Sequence, residues 1–205
     1  MLNTEKQTKQ LSVTTLVTFI LFSPILGFAE DHSHHHVDMS AGLTRNVVEY
    51  KIPEIKLVRA DGVPVTFLSD VNDGKPVFVN FIYTTCTAIC PVMTHTFSEF
   101  EKKLGVDKHK VHLVSVSIDP EQDTPKRLRE YSKQYDAGKN WIFYTGTLDA
   151  SIAVQKIFSV YRGDKMNHFP VTLIRTDPNQ PWIRLEGFAT PDDLLNEYKK
   201  IASTK

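Results

Sequence analysis

The chain has 205 residues, which is enough for one ordinary domain with a terminal extension. Its 24 Lys and Arg residues balance its 24 Asp and Glu residues, so net charge gives no reason to expect a nucleic-acid partner. The hydrophobic content of 41% allows a packed core. Its two cysteines lie four positions apart, and a bridge across so short a loop would stabilise the fold little. The pair therefore indicates a reactive or metal-binding site rather than a structural disulfide.

Residues 1–29 have the pattern of a signal peptide or a membrane anchor. Two lysines precede an apolar run, and small residues follow it up to Ala29, where an export signal would be cleaved. The run is short for a spanning helix, but about 17 residues can suffice, so an uncleaved anchor through residues 11–29 is the alternative. Both interpretations place the domain in the periplasm or on the extracytoplasmic face of a membrane.

Residues 30–46 are predicted to form a flexible, histidine-rich tail. The segment is polar and lacks periodicity, and it holds half of the eight histidines: His32, His34, His35 and His36. Imidazole binds copper, zinc and nickel, so the tail is a candidate site for collecting divalent metal. A solvated tail without a function is the alternative.

Residues 47–205 are predicted to form a single α/β domain. A hairpin is expected over residues 55–68, with its turn at Asp61 and Gly62. Apolar runs predict strands at residues 76–83, 111–118, 141–144, 171–175 and 182–188. Helical spacing and capping residues predict helices at 91–104, from 124, near 154–161 and from 190. This order resembles the thioredoxin fold: a central mixed sheet flanked by helices, with an N-terminal hairpin extension.

The loop TTCTAICP, residues 84–91, follows the first buried strand. Functional groups of open α/β sheets gather beyond the carboxyl ends of the strands, which is where this loop lies. Cys90 precedes Pro91, which suits the first position of a helix, and amides at a helix N-terminus stabilise a thiolate. If the loop coils, Cys86 and Cys90 face the same side, and two thiolates are soft ligands that favour Cu(I) or zinc. The pair is also a candidate for disulfide exchange. A third interpretation is that both cysteines are buried and inert.

Three segments of the sequence together resemble the Sco/SenC family. They are FIYTTCTAICPVM, VSVSIDPEQDTPKRLREY and a later lone histidine, and the resemblance extends over about residues 51–201. The resemblance implies a membrane-anchored thioredoxin-fold protein that binds copper and assists assembly of the copper centre of cytochrome c oxidase. By the same resemblance, the copper ligands are Cys86, Cys90 and His168. The implied partner is the copper-site subunit of a terminal oxidase or another copper protein.

The sequence departs from the family pattern at two places. Many members have an acidic residue and a proline between the cysteines, where this chain has Thr87, Ala88 and Ile89. The family's aspartate beside the histidine is Asn167 here. A less acidic site leaves open a redox function without stable copper binding.

Two other functions compete with copper delivery. In a thiol-disulfide oxidoreductase, Cys86 would attack and Cys90 would resolve the mixed disulfide. In a thiol peroxidase, Thr87 and Cys90 would form the T-x-x-C element, but the proline expected before it is replaced by Tyr83. Asp119, at the end of the second buried strand, is expected either to support the site or to close a turn with Pro120.

Overall fold

A computed structural model describes residues 42–203, which form one mixed sheet with helices on both faces. The strands are β1 (Thr44–Val48), β2 (Lys56–Arg59), β3 (Pro64–Thr66), β4 (Val77–Ile82), β5 (His112–Ser117), β6 (Trp141–Thr145), β7 (Val171–Arg175) and β8 (Trp182–Glu186). The helices are α1 (Ile89–Leu104), α2 (Pro125–Gln134), α3 (Leu148–Ile157) and α4 (Pro191–Ser203). The strand order across the sheet is β1-β8-β7-β4-β5-β6-β2-β3.

Strands β4 and β5 form the buried centre of the sheet. Every residue of β4 and β5 is buried, as expected for parallel strands covered on both faces. Phe78 packs on Phe100 of α1, with ring centroids 4.8 Å apart, whereas Phe81 packs on Phe158, which follows α3, at 6.0 Å. Because the two phenylalanines point to opposite faces of β4, α1 and the end of α3 lie on opposite sides of the sheet.

Helices α2 and α4 begin at the capping residues from which the sequence predicted them. The hydroxyl of Thr124 accepts a hydrogen bond from the Arg127 amide at the start of α2. At the start of α4, Thr190 and Asp193 exchange hydrogen bonds between side chain and backbone in both directions. Each such cap satisfies amides that have no partner within the helix and contributes about 1 kcal/mol.

The directions of the strands bring separate loops to one end of the sheet. Strand β4 is antiparallel to β7, with Asn80 opposite Thr172, so the loop after β4 and the loop before β7 are adjacent. Strand β1 runs in the same direction as β7, because both are antiparallel to β8. Thr44 and Val171 both pair with Glu186, so the chain enters β1 at this same end.

Most of the predicted architecture is confirmed. The hairpin forms as β2 and β3, and it joins the sheet through antiparallel pairing of β2 with β6. The prediction of a tail through residue 46 was wrong at its end, because Thr44 already begins β1. That strand pairs at the sheet edge and is mostly exposed, so it lacks the apolar pattern of a buried strand.

The predictions for residues 1–41, namely a signal peptide or anchor and most of the histidine-rich tail, lie outside the described residues. Between residues 42 and 203, no helix combines the length and the apolar character needed to cross a bilayer.

Candidate thiol and metal site

The two cysteines lie where β4 leads into α1. Helix α1 begins at Ile89, so Cys90 is in its first turn and Pro91, predicted to be its first residue, is its third. Pro91 is tolerated because the first amides of a helix have no intrahelical acceptor. The Cys90 amide donates a hydrogen bond to the Cys86 sulfur at 3.4 Å, and the Tyr83 amide donates to the Cys90 sulfur at 3.4 Å. The side chain of Cys86 is half-buried, and that of Cys90 is buried completely.

The two thiols differ sharply in acidity. A hydrogen bond from Cys90 lowers the pKa of Cys86 to about 4, against the effect of burial, and the backbone amides of Cys90 and Ala88 add to the lowering. The pKa of Cys90 is raised, because its thiol donates to Cys86 and because it is buried. The helix N-terminus therefore stabilises a thiolate at Cys86, and the prediction that Cys90 would carry this thiolate was wrong.

His168 lies in the loop before β7 and is held there as a neutral ring. Burial lowers its pKa to about 4, opposed by the charge of Cys86 and by a hydrogen bond to the Phe81 backbone. Its Nε2 atom is buried and has no hydrogen-bond partner among the described residues. The bond to Phe81 is thus made by Nδ1, which leaves Nε2 as the nitrogen with a free lone pair. A neutral imidazole with one nitrogen fixed by a backbone carbonyl is the form that ligates metals.

Tyr83 lies between the two loops. Its ring packs edge-on against the His168 ring, with centroids 6.4 Å apart. Its single hydroxyl proton has two sulfur acceptors within reach: the Cys86 sulfur, where the bond helps to lower the pKa of Cys86, and the Met166 sulfur at 3.6 Å. The pKa of Tyr83 itself is raised, first by burial and then by its contact with Cys86, so the phenol keeps its proton. Tyr83 therefore links the thiolate with the segment that carries the imidazole.

The structure brings Cys86 and Cys90 into contact and places His168 within electrostatic range of Cys86. These three side chains do not yet form a coordination site. Within residues 42–203, no group of three or more His, Cys, Asp or Glu side chains is arranged to hold a metal ion. A metal at this position requires His168 and the sulfurs to move closer together.

Two acidic side chains hold the loops of the site in place. Asp119, after β5, is buried and accepts a hydrogen bond from the Lys165 ammonium at 2.6 Å, which fixes the segment that leads to His168. The carboxylate of Asp123 accepts from the Thr84 hydroxyl at 2.6 Å and from the Ser117 hydroxyl at 2.7 Å. A cleft of about 520 Å³ opens beside them, with Asp119, Lys165 and His168 in its wall.

Asp123 is a site residue that sequence reasoning missed. It stands one position before the helix cap Thr124, where an aspartate usually lies in a solvated turn. Its partners, Thr84 and Ser117, come from β4 and β5 segments that only the fold brings together. The one feature of the sequence that pointed to Asp123 was its place in the motif VSVSIDPEQDTPKRLREY. Arg127 was missed for the same reason, and its Nε donates to the Thr84 hydroxyl at 2.8 Å.

The sequence profile of the SCO1/SenC family matches residues 49–201, which is most of the chain and contains all three candidate ligands. The chain belongs to the SCO1/SenC family. Membership agrees with the resemblance seen in the two motif blocks.

Known relatives match parts of this SCO1/SenC chain. The SCO1 protein homolog of Bacillus subtilis (strain 168) is 32% identical over 109 residues, which are 53% of this chain and 55% of that protein. BsSco, described as a member of the Sco family of cytochrome c oxidase assembly proteins, superposes with a TM-score of 0.65 at 25% identity. That superposition covers 79% of this chain and 99% of BsSco. The chain spans about half the length, or less, of the curated relatives it matches.

A third likeness concerns the fold alone. ScoI of Arabidopsis thaliana, solved with copper bound, superposes with a TM-score of 0.62 at 24% identity, over 76% of this chain and all of that chain. Together with the mixed sheet and its helices, these likenesses confirm the predicted thioredoxin-like α/β fold of the SCO1/SenC chain.

Proposed function

We propose that this protein binds copper through Cys86, Cys90 and His168 and delivers it, outside the cytoplasm, to the copper-site subunit of a terminal oxidase or to another copper protein. Copper is the cargo in this function. Residues 1–29 would export the protein or anchor it in the membrane, and residues 30–43 would connect that segment to β1 of the domain.

The observation that carries the proposal is the chemical state of the donor atoms. Cys86 is a thiolate at neutral pH, with its pKa at about 4, and thiolate is the form that binds metal. His168 is neutral, and its buried Nε2 has no hydrogen-bond partner within residues 42–203. Two sulfurs and one imidazole nitrogen form a soft donor set that suits copper. Cys90 would lose its proton when copper binds, because only its thiolate coordinates well.

The relatives support copper as the cargo and an oxidase as the destination. ScoI of Arabidopsis thaliana has been solved with copper bound, and BsSco is described as belonging to a family of cytochrome c oxidase assembly proteins. The position of the donors also suits transfer. Cys86 is half-buried at the end of the sheet, so a client ligand can reach it and exchange.

A copper titration of the reduced full-length protein tests the proposal. We expect thiolate-to-Cu(II) charge-transfer absorption at one equivalent, and its loss in Cys86→Ser and Cys90→Ser. His168→Ala should weaken binding, whereas His95→Ala, which alters an exposed histidine of α1, serves as the matched control. Full copper retention with unchanged absorption in Cys86→Ser would refute the proposal.

The asymmetry of the two thiols favours thiol-disulfide exchange as a second function of the same pair. The accessible Cys86 thiolate would attack a substrate disulfide and displace one substrate thiolate. The buried Cys90 would then lose its proton, attack the mixed disulfide and release the second substrate thiol, which leaves a Cys86–Cys90 disulfide. BsSco is described as having a disulfide switch. Turnover of a disulfide substrate that survives in Cys86→Ser would exclude this function.

A thiol peroxidase is disfavoured by the same asymmetry. The T-x-x-C element would make Cys90 the cysteine that attacks peroxide, but Cys90 is fully buried and its pKa is raised. A buried thiol that keeps its proton is a poor nucleophile.

A further inference from the structure

Met166 is an exposed methionine at the edge of the candidate site. It lies in a short 3₁₀ turn, Lys165–Asn167, and 72% of the residue's surface is exposed. Its sulfur lies 3.6 Å from the Tyr83 hydroxyl. The same hydroxyl also interacts with the Cys86 sulfur. One phenol thus lies between a thioether and a thiolate that belong to distant parts of the sequence.

The segment around Met166 is fixed by local hydrogen bonds. The Met166 amide donates to Oδ1 of Asp164 at 2.8 Å, and the His168 amide donates to the Lys165 carbonyl at 3.1 Å. The Lys165 ammonium is held by Asp119 at 2.6 Å. Met166 and His168 therefore belong to one hydrogen-bonded turn, so a movement of this turn toward the sulfurs would carry both side chains.

We propose that Met166 is an additional ligand for Cu(I), receiving the ion at the exposed edge of the site and passing it to Cys86. This inference rests on the proposed function and assigns a further residue to the same site. A thioether is a neutral, soft donor that binds Cu(I) in preference to harder cations. Its coordination releases no proton and changes no oxidation state: a copper–sulfur bond forms as the previous ligand leaves. A core-packing role, common for methionine, does not fit a side chain so exposed.

Selenium labelling tests directly whether the side chain of Met166 binds copper. The full-length protein with selenomethionine at all four methionines is loaded with one equivalent of Cu(I), and X-ray absorption at the copper edge detects a selenium neighbour. We expect a copper–selenium contribution in the wild type and in Met93→Leu, and its absence in Met166→Leu. Met93 is the matched control because it is 5% exposed and lies in the core. Absence of the contribution from the wild type, or its persistence in Met166→Leu, would overturn the inference.

The Cu(I) affinity of the Met166 variant is a second test of the inference. In competition with a chromophoric Cu(I) chelator, Met166→Leu should bind Cu(I) about tenfold more weakly than the wild type, equal to about 1.4 kcal/mol. Met93→Leu should equal the wild type. Unchanged affinity in Met166→Leu with slower transfer to a client would make Met166 a docking residue and overturn the inference. A wild type that binds no copper through its cysteines would instead refute the proposed function, so the two failures are distinguishable.

Discussion

The carboxylate of Asp123 accepts hydrogen bonds from both the backbone amide and the hydroxyl of Thr84, two residues before Cys86. Asp123 is completely buried, and burial raises its pKa, while the bonds from Thr84 and Ser117 oppose that rise. The cysteine loop is therefore attached to the start of α2 through a carboxylate that has no contact with solvent.

Removing this carboxylate should destabilise the domain and loosen the cysteine loop. In Asp123→Ala, the Thr84 and Ser117 donors lose a buried acceptor, and we expect the free energy of unfolding to fall by about 3 kcal/mol in urea titrations. Asp123→Asn, which keeps an acceptor oxygen, should lose less. Glu121→Ala removes an exposed carboxylate from the same loop and is the control. Equal effects of Asp123→Ala and Glu121→Ala would contradict this assignment.

The acidity of Cys86 should depend on Cys90. Because a hydrogen bond from Cys90 is the largest cause of the low pKa of Cys86, Cys90→Ala should raise that pKa toward the ordinary thiol range. The measurement is the rate of iodoacetamide alkylation against pH, with the modified residue identified by mass spectrometry. In the reduced wild type, the rate at Cys86 should stay constant between about pH 6 and pH 8. A rate that climbs tenfold per pH unit over this range in the wild type would show that Cys86 is an ordinary thiol.

Neutral His168 should make the domain less stable in mild acid. Its pKa is about 4 in the folded state and about 6.5 when unfolded, so the unfolded chain binds more protons between these values. Stability is therefore lost as the pH falls from about 6.5 toward about 4, by about 2 kcal/mol at pH 5 from this group. We expect urea unfolding of His168→Gln to lack this part of the pH dependence. A wild type and a variant with parallel stability curves from pH 7 to pH 5 would count against a buried neutral ring.

The ion pair between Lys165 and Asp119 should restrict the loop that carries His168. Lys165→Ala removes a charge that is 37% exposed from a carboxylate that is 6% exposed, so we expect a loss of about 1 kcal/mol. Amide hydrogen exchange of residues 165–168 should become faster. Lys126→Ala, which alters an exposed pair with Glu130 at 4.0 Å, is the control and should leave this exchange unchanged. Unaltered exchange in Lys165→Ala would show that other contacts fix the loop.

The sequence predicted the sheet well because its central strands are encoded locally. The run of β4 is apolar except for Asn80, and that of β5 combines Leu and Val with His112, Ser115 and Ser117, so local enrichment in aliphatic and β-branched residues identifies both strands. Strand β1 was missed because its side chains are mostly exposed and the strand is held in place by pairing with β8. Its formation depends on a partner more than 130 residues away, which no local pattern encodes.

The candidate site was predictable in its residue types and less so in its electrostatics. The spacing of Cys86 and Cys90 was visible in the sequence, and so was a helix that starts near them. Which sulfur receives the helix amides depends on where the helix begins, and α1 begins two residues earlier than expected. The contact between Tyr83 and Met166 depends on the antiparallel pairing of β4 with β7, which brings both loops to one end of the sheet.

The direction of β1 determines where the preceding polypeptide is attached to the domain. Thr44 is level with the first residue of β7, so this attachment point is on the side of the sulfurs. If residues 11–29 remain in a bilayer, residues 30–43 tether the domain to it. A segment of this length can place Thr44 at most roughly 50 Å from the end of the anchor. If the protein delivers copper as proposed, this length limits which clients the site can reach from the membrane, and a longer tether would widen that set without changing a metal ligand.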